Sequence, residues 1–210
     1  MKKPILFVLG DSISIHYGPF LKEMVADKLT FVRNPGEEEA LRDLDTPTGS
    51  NGGDSSRVLS YLQGLQAQGY HPDFLLLNCG LHDMKTDPHS GAKQVPLAQY
   101  RENLTSIVSL VATMGTRLIW VRTTPVDDEQ HNSRSKEFYR YAVDVTAYNA
   151  MADEIMTAAG VPMIDLFAFT RSLGDGVFCD HVHYVEPVRK LQAAFIAGQL
   201  YALSAWQPVK

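Results

Sequence analysis

The feature that most constrains the fold is a set of short apolar segments that alternate with stretches of helical periodicity along the chain. A short, continuous apolar run is typical of a strand that is covered on both faces. Strands that alternate with helices predict a parallel sheet with helices packed on its faces. We therefore expect an α/β fold, a three-layer α/β/α sandwich with a five-stranded parallel sheet in the flavodoxin-like order 2-1-3-4-5. The strands are predicted at Ile5–Leu9, 29–32, Phe74–Leu77, Arg117–Val121 and 161–165.

Four helices are predicted between and after these strands, because apolar residues recur there at spacings of three and four. Two polar stretches, 34–51 and 124–135, lack such a pattern. Both follow strands, so we expect them to form loops at the carboxyl edge of the sheet, where ligands bind in folds of this kind. The apolar stripes are Val58, Leu62 and Leu65; Tyr100, Leu104, Ile107, Val108 and Val111; Tyr141, Val145, Tyr148, Ala152, Ile155 and Met156; and Val188, Leu191, Phe195 and Ala202.

Length and charge limit the number of domains and the kinds of partner. The chain has 210 residues, which fits a single domain over residues 1–210. Its formal net charge of −5 disfavours nucleic acid as a partner, because a polyanion would be repelled on average. No segment approaches the ~20 apolar residues that a membrane span needs. The apolar run near the N-terminus has no cleavage site for a signal peptide, so a cytoplasmic location is expected, and the oligomeric state is left open.

The two cysteines, Cys79 and Cys179, form neither a disulfide framework nor a zinc motif. We expect both of them to be small buried hydrophobic residues. Cysteine chemistry therefore does not contribute to the predicted function.

The motif Gly10-Asp11-Ser12 directly follows the first predicted strand. A serine at a strand-to-helix turn presents its hydroxyl group at the edge of the sheet, as a nucleophile does. The alternative is that Asp11 or Ser12 only caps the following helix, since both residue types accept hydrogen bonds from first-turn N–H groups. These three residues alone do not separate the two interpretations.

A second motif, Asp180-His181-Val182-His183, lies just ahead of the last predicted helix. Residues three apart share a face of a helical turn, so Asp180 can accept a hydrogen bond from His183, whereas His181 points elsewhere. Such a bond fixes the imidazole tautomer and stabilises the imidazolium ion. The alternatives are an ordinary polar loop and a metal site. A metal is disfavoured because one carboxylate and no third histidine are nearby, and no metal is predicted.

Two further segments flank the third predicted strand. Gly52-Gly53 opens the helix ahead of it, where glycines let the backbone approach a ligand and free N–H groups favour an anion; Asp54 as the N-cap of that helix is compatible with this role. Gly80-Leu81-His82-Asp83 leaves the strand and brings polar side chains to its carboxyl end.

In their order along the chain, these motifs resemble the conserved blocks of the GDSL or SGNH hydrolases, and the resemblance spans most of the chain. Gly10-Asp11-Ser12 resembles the block that carries the nucleophile, and Asp180-x-x-His183 resembles the block that activates it. Gly53 resembles the glycine whose N–H helps to build the oxyanion hole. The resemblance implies the SGNH-hydrolase version of the expected fold, with Ser12, His183 and Asp180 as a catalytic triad.

His82 departs from the family pattern, because it stands where the family usually has an asparagine that donates a hydrogen bond to the oxyanion. A neutral imidazole has one N–H donor, so His82 is predicted to complete the oxyanion hole with the N–H groups of Ser12 and Gly53. The alternative is a histidine that packs under the loop at the end of the strand.

The resemblance implies a serine esterase that needs no cofactor and acts on short acyl esters, acetyl groups on carbohydrate among them. Its partner would be a small-molecule or carbohydrate ester. Acyl transfer to an alcohol needs the same triad and stays open. A ligand-binding protein that has kept the fold without activity is a further alternative, and a flavodoxin-like nucleotide binder is disfavoured because the chain lacks phosphate-loop motifs.

Overall fold

A computed structural model of the chain describes residues 2–203 and contains a single five-stranded sheet within that range. Every neighbouring pair of strands is parallel, and the order is β2-β1-β3-β4-β5, which confirms the predicted architecture and order. Each predicted strand is present, although the second begins one residue later and the fifth has only two residues. The strands are β1 Ile5–Leu9, β2 Thr30–Arg33, β3 Phe74–Leu77, β4 Arg117–Val121 and β5 Met163–Ile164.

Helices cover the two faces of this sheet. They are α1 Ser12–Met24, α2 Glu37–Ala40, α3 Ser55–Ala67, α4 Leu97–Thr113, α5 Asp128–Arg134, α6 Ala142–Ala158, α7 Leu166–Arg171 and α8 Glu186–Ala202. Helices α1, α7 and α8 pack together, and α4 packs against both α3 and α6. Crossover connections between parallel strands are right-handed, and the strand order reverses between β1 and β3, so the two groups are placed on opposite faces. Among residues 2–203, no helix has the length and apolar character needed to cross a bilayer.

The sheet order determines where ligand-binding groups meet. Strands β1 and β3 are neighbours, with Leu9 paired to Leu77, so the segments that leave their carboxyl ends emerge side by side. The order reverses between these two strands, and the carboxyl-end crevice at such a switch point is the usual ligand site in doubly wound sheets. Ser12 follows β1, and His82 follows β3.

The two stretches expected to be loops each contain a short helix. Three consecutive glutamates form the first turn of α2, where negative side chains interact favourably with the helix dipole. Helix α5 begins after Asp127, whose side chain accepts a hydrogen bond from Gln130 N–H at 2.7 Å. These helices lack an apolar stripe, so hydrophobic periodicity did not predict them. The signals that could have done so are the acidic first turn of α2 and the capping aspartate ahead of α5.

The prediction for the last helix was right about its position and partly wrong about its buried face. Leu191 is 47% exposed, whereas Gln192 is fully buried and donates a hydrogen bond from Nε2 to Thr170 Oγ1 at 3.1 Å. Phe195 packs on α7, with its ring stacked 4.2 Å from that of Phe169. Helix α7 was not predicted, and its contacts with α8 determine which face of α8 is buried. The hydrogen bond satisfies the amide nitrogen of Gln192, while its Oε1 is buried without a partner among the described residues.

The expectation for the cysteines was correct for Cys79, which is buried, and wrong for Cys179, which is exposed. Cys179 lies in the loop before α8, where its backbone N–H donates to His183 O at 2.8 Å. The residue therefore supports the loop through its backbone and not through burial of its side chain.

Candidate active site

Three predicted side chains from opposite ends of the chain form one hydrogen-bonded series. Ser12 Oγ lies 2.8 Å from His183 Nε2, and His183 Nδ1 lies 2.8 Å from Asp180 Oδ2. In this series the imidazole can take the serine proton through one nitrogen while the carboxylate holds the other. The arrangement has the geometry of an activated serine nucleophile.

The turn between β1 and α1 explains how Ser12 becomes available. Asp11 caps the helix, because its Oδ1 accepts from Ile13 N–H at 3.0 Å. Capping thus falls on Asp11, and the hydroxyl of Ser12, the first residue of α1, is free to meet His183. Gly10 has no room for a side chain, since a Cβ there would lie 2.9 Å from Ser14 Cβ. The capping and nucleophile interpretations are therefore compatible and apply to different residues.

Asp180 and His183 meet in a loop and not in the helical turn that the spacing had indicated. Asp180 Oδ1 accepts from the backbone N–H groups of Val182 at 2.8 Å and His183 at 2.7 Å, an Asx-type turn, and α8 begins only at Glu186. Partial burial tends to raise the pKa of Asp180, but the hydrogen bonds from the His183 ring and from these N–H groups outweigh it. The pKa is held well below its usual range, so the carboxylate is ionised near neutral pH.

The spacing had predicted that His181 points elsewhere, but the residue stays beside the series, with its Nδ1 3.7 Å from Asp180 Oδ1. It also contacts a residue that sequence reasoning had not singled out. Its Nε2 lies 3.1 Å from Asp45 Oδ1. One ligand atom each from Asp180, His181 and His183 can be chosen within 4.8 Å of one another, a grouping that could hold a metal ion. Both ring nitrogens of His183 are already within hydrogen-bonding distance of Ser12 and Asp180, so a metal would have to displace one of these contacts.

His82 lies in the loop after β3 and is 1% exposed. Its Nδ1 is buried without a hydrogen-bond partner among the described residues. Burial lowers the pKa of His82 well below its usual range, and the positive charges of Lys85 and Arg140 lower it further. The ring is therefore neutral near pH 7 and carries a single N–H donor. Asn78, further back along the chain, does not offer a free donor in place of His82, because its Nδ2 donates to Val121 O at 2.9 Å and to Thr123 Oγ1 at 3.4 Å.

Gly53 occupies a left-handed backbone conformation, with φ of +69°, that favours glycine. A Cβ there would also lie 2.8 Å from Pro47 Cβ. The preceding Gly52 donates its N–H to Gly10 O at 2.8 Å, which ties this segment to the turn between β1 and α1. The N–H of Gly53 donates to Asn51 Oδ1 at 3.0 Å. An oxyanion bound by Gly53 would have to compete with this acceptor.

Asp83 joins the segments on either side of β3. Its Oδ1 accepts from Ser55 N–H at 2.9 Å, at the start of α3, while its Oδ2 is buried without a partner among residues 2–203. Burial raises the pKa of Asp83 to about 8. The carboxyl group therefore holds its proton at neutral pH and serves as a connection within the site rather than as a charge.

A cavity of about 560 Å³ adjoins these segments. Asp45 on its wall contacts His181, and Pro47 on its wall packs against Gly53. Polar and charged side chains dominate the lining, together with the ring of Phe138. The residues that line it are Asp45, Thr46, Pro47, Lys85, Asp87, Ser90, Ala92, Lys93, Gln94, Glu137 and Phe138. Sequence reasoning missed this set because its members come from three separate segments without a common motif.

Solved structures with the same fold include several esterases. A lipase/acylhydrolase from Enterococcus faecalis superposes with a TM-score of 0.72 at 16% identity, over 98% of this chain and all of the other. A mutant of Axe2, an acetyl-xylooligosaccharide esterase from Geobacillus stearmophilus, gives 0.72 at 16% identity over 100% and 99% of the two chains. The esterase EstA from Pseudoalteromonas sp., inhibited by monoethylphosphonate, gives 0.66 at 14% identity over 96% and 98%. At these identities the likeness establishes the fold.

The family follows from the sequence match. No curated protein matches the chain. The family model described as GDSL-like Lipase/Acylhydrolase matches residues 6–196, which is most of the chain and includes every residue of the hydrogen-bonded series. The chain therefore belongs to the GDSL-like lipase/acylhydrolase family and is a hydrolase that acts on ester bonds.

Proposed function

We propose that the protein hydrolyses short acyl esters through a covalent acyl-enzyme formed on Ser12. The observation that supports this most strongly is the continuous series from Ser12 Oγ through His183 to Asp180, with both links at 2.8 Å. A ligand-binding protein without activity would have no need for all three groups in this geometry.

The proposed reaction has two half-reactions that use the same base. Ser12 Oγ attacks the ester carbonyl while His183 Nε2 takes its proton, and the imidazolium then protonates the leaving alcohol. In the second half-reaction His183 takes a proton from water as the water attacks the acyl group. The imidazolium then returns this proton to Ser12 Oγ as the acyl–oxygen bond breaks, which releases the acid and restores both residues. Asp180 stabilises the imidazolium in both half-reactions through its bond to Nδ1.

The oxyanion that forms in each half-reaction needs donors in fixed positions. We propose the N–H of Ser12, which has no acceptor within its helix because Ser12 is the first residue of α1, together with the N–H of Gly53 and the ring of His82. Each such donor is worth about 3–4 kcal/mol in comparable sites. The N–H of Gly53 now donates to Asn51 Oδ1. To contribute, it would donate to the oxyanion instead, or to the oxyanion and Asn51 Oδ1 together.

For the substrate, we propose an acetyl ester of a polyhydroxylated alcohol such as a sugar. The cavity beside Gly53 and His181 is lined mainly by polar side chains and has one aromatic ring, Phe138, which suits hydroxyl groups on a ring better than a long acyl chain. The acetyl-xylooligosaccharide esterase with the same fold supports this class by analogy.

The test of the mechanism combines turnover with covalent labelling. The wild-type protein should hydrolyse p-nitrophenyl acetate and react with a serine-directed phosphonate, and the labelled peptide should contain Ser12 and not Ser55 or Ser56. Ser12→Ala should abolish both properties without loss of thermal stability, since the residue lies at a turn. Ser56→Ala is the matched control and should keep both. More than a few per cent of wild-type turnover in Ser12→Ala would show that the nucleophile is another residue.

The substrate class is tested separately by acetate release from acetylated xylooligosaccharides, compared with p-nitrophenyl esters of increasing acyl length. We expect the highest kcat/KM for the acetyl sugars and a steep decline from acetyl to octanoyl esters. Preference for the octanoyl ester would contradict the proposed substrate but not the proposed nucleophile. Transfer of the acetyl group to an added alcohol in place of water would identify an acyltransferase.

A further inference from the structure

Arg140 lies in the segment between α5 and α6 and is 2% exposed. Its guanidinium reaches the loop that follows β3, where Nε donates to Leu81 O at 2.6 Å. A second nitrogen, Nη1, lies 2.9 Å from His131 Nε2, and the guanidinium carbon Cζ lies 4.8 Å from the ring centre of Phe138. Arg140 therefore connects an otherwise separate segment to the residue directly before His82.

The partners of this guanidinium are all neutral. Among residues 2–203, no carboxylate oxygen lies within 4.0 Å of Arg140, and the remaining interactions with Asp45, Asp11 and Asp180 act through space. Burial lowers the pKa of Arg140 to about 10, which leaves it a cation at neutral pH. A buried charge without a paired opposite charge is costly compared with an apolar side chain of the same volume. Packing alone is thus a poor explanation for an arginine here.

His131 is built to accept a hydrogen bond from Arg140. Asn132 Oδ1 lies 3.1 Å from His131 Nδ1, so this nitrogen carries the proton and Nε2 is the acceptor. Burial, followed by the charge of Arg140, lowers the pKa of His131 to about 3. Asn132 Oδ1 also accepts from the backbone N–H of Arg140 at 3.0 Å. This frame holds the guanidinium in one orientation without neutralising it.

We propose that Arg140 is a positioning residue for His82: it fixes the Leu81–His82 peptide through its hydrogen bond to the Leu81 carbonyl and holds a positive charge next to the His82 loop. This inference rests on the proposed function of His82. A nearby positive charge affects a histidine at this position but not the asparagine usual in the family, since an imidazole can be protonated and an amide cannot. Burial is the first cause of the lowered His82 pKa, and the charge of Arg140 adds to it. The charged or titratable groups that act on His82 are Lys85, Arg140, Asp45 and His183, and of these Arg140 is the one bonded to the His82 loop.

A double-mutant cycle between positions 140 and 82 tests the proposal. Arg140→Met keeps an unbranched apolar stem but removes the guanidinium with its charge and donors, and we expect kcat for p-nitrophenyl acetate to fall roughly 10- to 100-fold with little change in KM. In a His82→Ala background the same substitution should lower kcat less than about threefold, because the group through which it acts is already absent. Arg101→Met, which breaks an exposed pair with Glu154, is the control and should leave kcat unchanged. Equal fold-losses from Arg140→Met in both backgrounds would overturn the proposal.

A histidine-ring NMR titration provides a readout that a purely structural role would not change. We expect the His82 signal to titrate at a higher pH in Arg140→Met than in the wild type, because a nearby positive charge has been removed. Arg140→Lys keeps the charge but cannot reach both Leu81 O and His131, so it should keep the wild-type titration while kcat falls. It also replaces Arg140→Met if the latter fails to fold. An unchanged His82 titration in Arg140→Met, or a raised one in Arg140→Lys, would contradict the proposal. Failure of the proposed function is recognised independently, by absence of phosphonate labelling of Ser12 in the wild type.

Discussion

Burial gives the Ser12–His183 contact its chemical significance. Ser12 is 4% exposed and His183 is 1% exposed, so the hydrogen bond between them lies in a medium of low polarity, where it is stronger than in water. Asp180 is partly exposed, and three hydrogen bonds rather than a dry environment keep it ionised and oriented. The most buried members of the series therefore depend on the least buried one for their orientation.

The two histidines of the loop should differ sharply in their effect on turnover. His183→Ala should lower kcat by about 10³-fold or more, because the base is lost, and the double variant Ser12→Ala/His183→Ala should be hardly worse than either single one. His181→Ala removes contacts with Asp45 and with Asp180 Oδ1 but leaves the bond between Asp180 Oδ2 and His183, so it should lower kcat only slightly. Steady-state kinetics with p-nitrophenyl acetate measure both. Equal losses from the two histidine substitutions would favour a metal site, which sensitivity to a chelator would reveal.

His82→Ala should lower kcat by roughly 10²–10³-fold with little change in KM, since an oxyanion donor acts mainly in the transition state. His82→Asn should recover part of this loss, because it restores the amide donor usual in the family, although its shorter side chain does not extend as far. Full activity in His82→Ala would assign the residue to packing under the loop. Circular dichroism spectra identical to those of the wild type provide the control for folding.

The helices contribute to the site mainly through their first turns. The side chain of Asp11 caps α1 and that of Asp54 caps α3, so the two segments that carry Ser12 and Gly53 are both fixed by aspartate caps. Helix α5 begins at a third such cap, Asp127, and contains His131, the acceptor for Arg140. Caps set the rotation and starting point of a helix, which determine the direction of every side chain in its first turn.

Asp127→Ala should lower the free energy of unfolding by about 1 kcal/mol, the usual value for loss of an N-cap. The physical reason is that Gln130 N–H would lose its acceptor at 2.7 Å. Urea denaturation measures the change. Glu129→Ala, in the same first turn, has no capping bond to lose and should cost only a few tenths of a kcal/mol. Equal effects of the two substitutions would contradict a specific capping role.

Burial of ionisable groups around the switch point couples the stability of the protein to pH. His82, His131 and Asp83 all have pKa values displaced toward their neutral forms, with burial as the first cause in each case. For the two histidines, the folded pKa lies below the unfolded one, so stability is full above about pH 6.5 and declines as the pH falls. For Asp83 the folded pKa lies above the unfolded one, so its contribution to stability declines as the pH rises.

Asp83→Asn should abolish a loss of stability that the wild type undergoes as the pH rises from 3.8 to about 8. The folded pKa of Asp83 is about 8 and the unfolded value is 3.8, so its contribution is complete below the unfolded pKa and is lost as the pH rises toward 8. The slope is at most about 1.4 kcal/mol per pH unit. Asparagine can still accept from Ser55 N–H. Urea denaturation at pH 5 and pH 8 should show the variant gaining stability relative to the wild type at the higher pH. A constant difference would mean that Asp83 is ionised in the folded protein.

The sequence alone determined the sheet and the chemical groups of the site. Strands β1, β3 and β4 consist almost wholly of apolar runs, which can be recognised without knowledge of distant partners, and the fold buries nearly their whole length. The order of strands and helices then leaves few topologies, because crossovers are right-handed and short. Ser12, Asp180 and His183 could be named because each lies in a short motif next to a strand or helix end.

The tertiary structure decided the contacts that make those groups usable. Arg140 and Leu81 are 59 positions apart, and His181 and Asp45 are 136 positions apart, so no local pattern could pair them. The buried face of α8 was likewise decided by tertiary contacts, since Gln192 bonds to Thr170 on α7, 22 positions away. Local sequence determines which elements form, because periodicity and capping act over a few residues. Partner choice in a buried site depends on which polar groups the completed fold leaves to be satisfied.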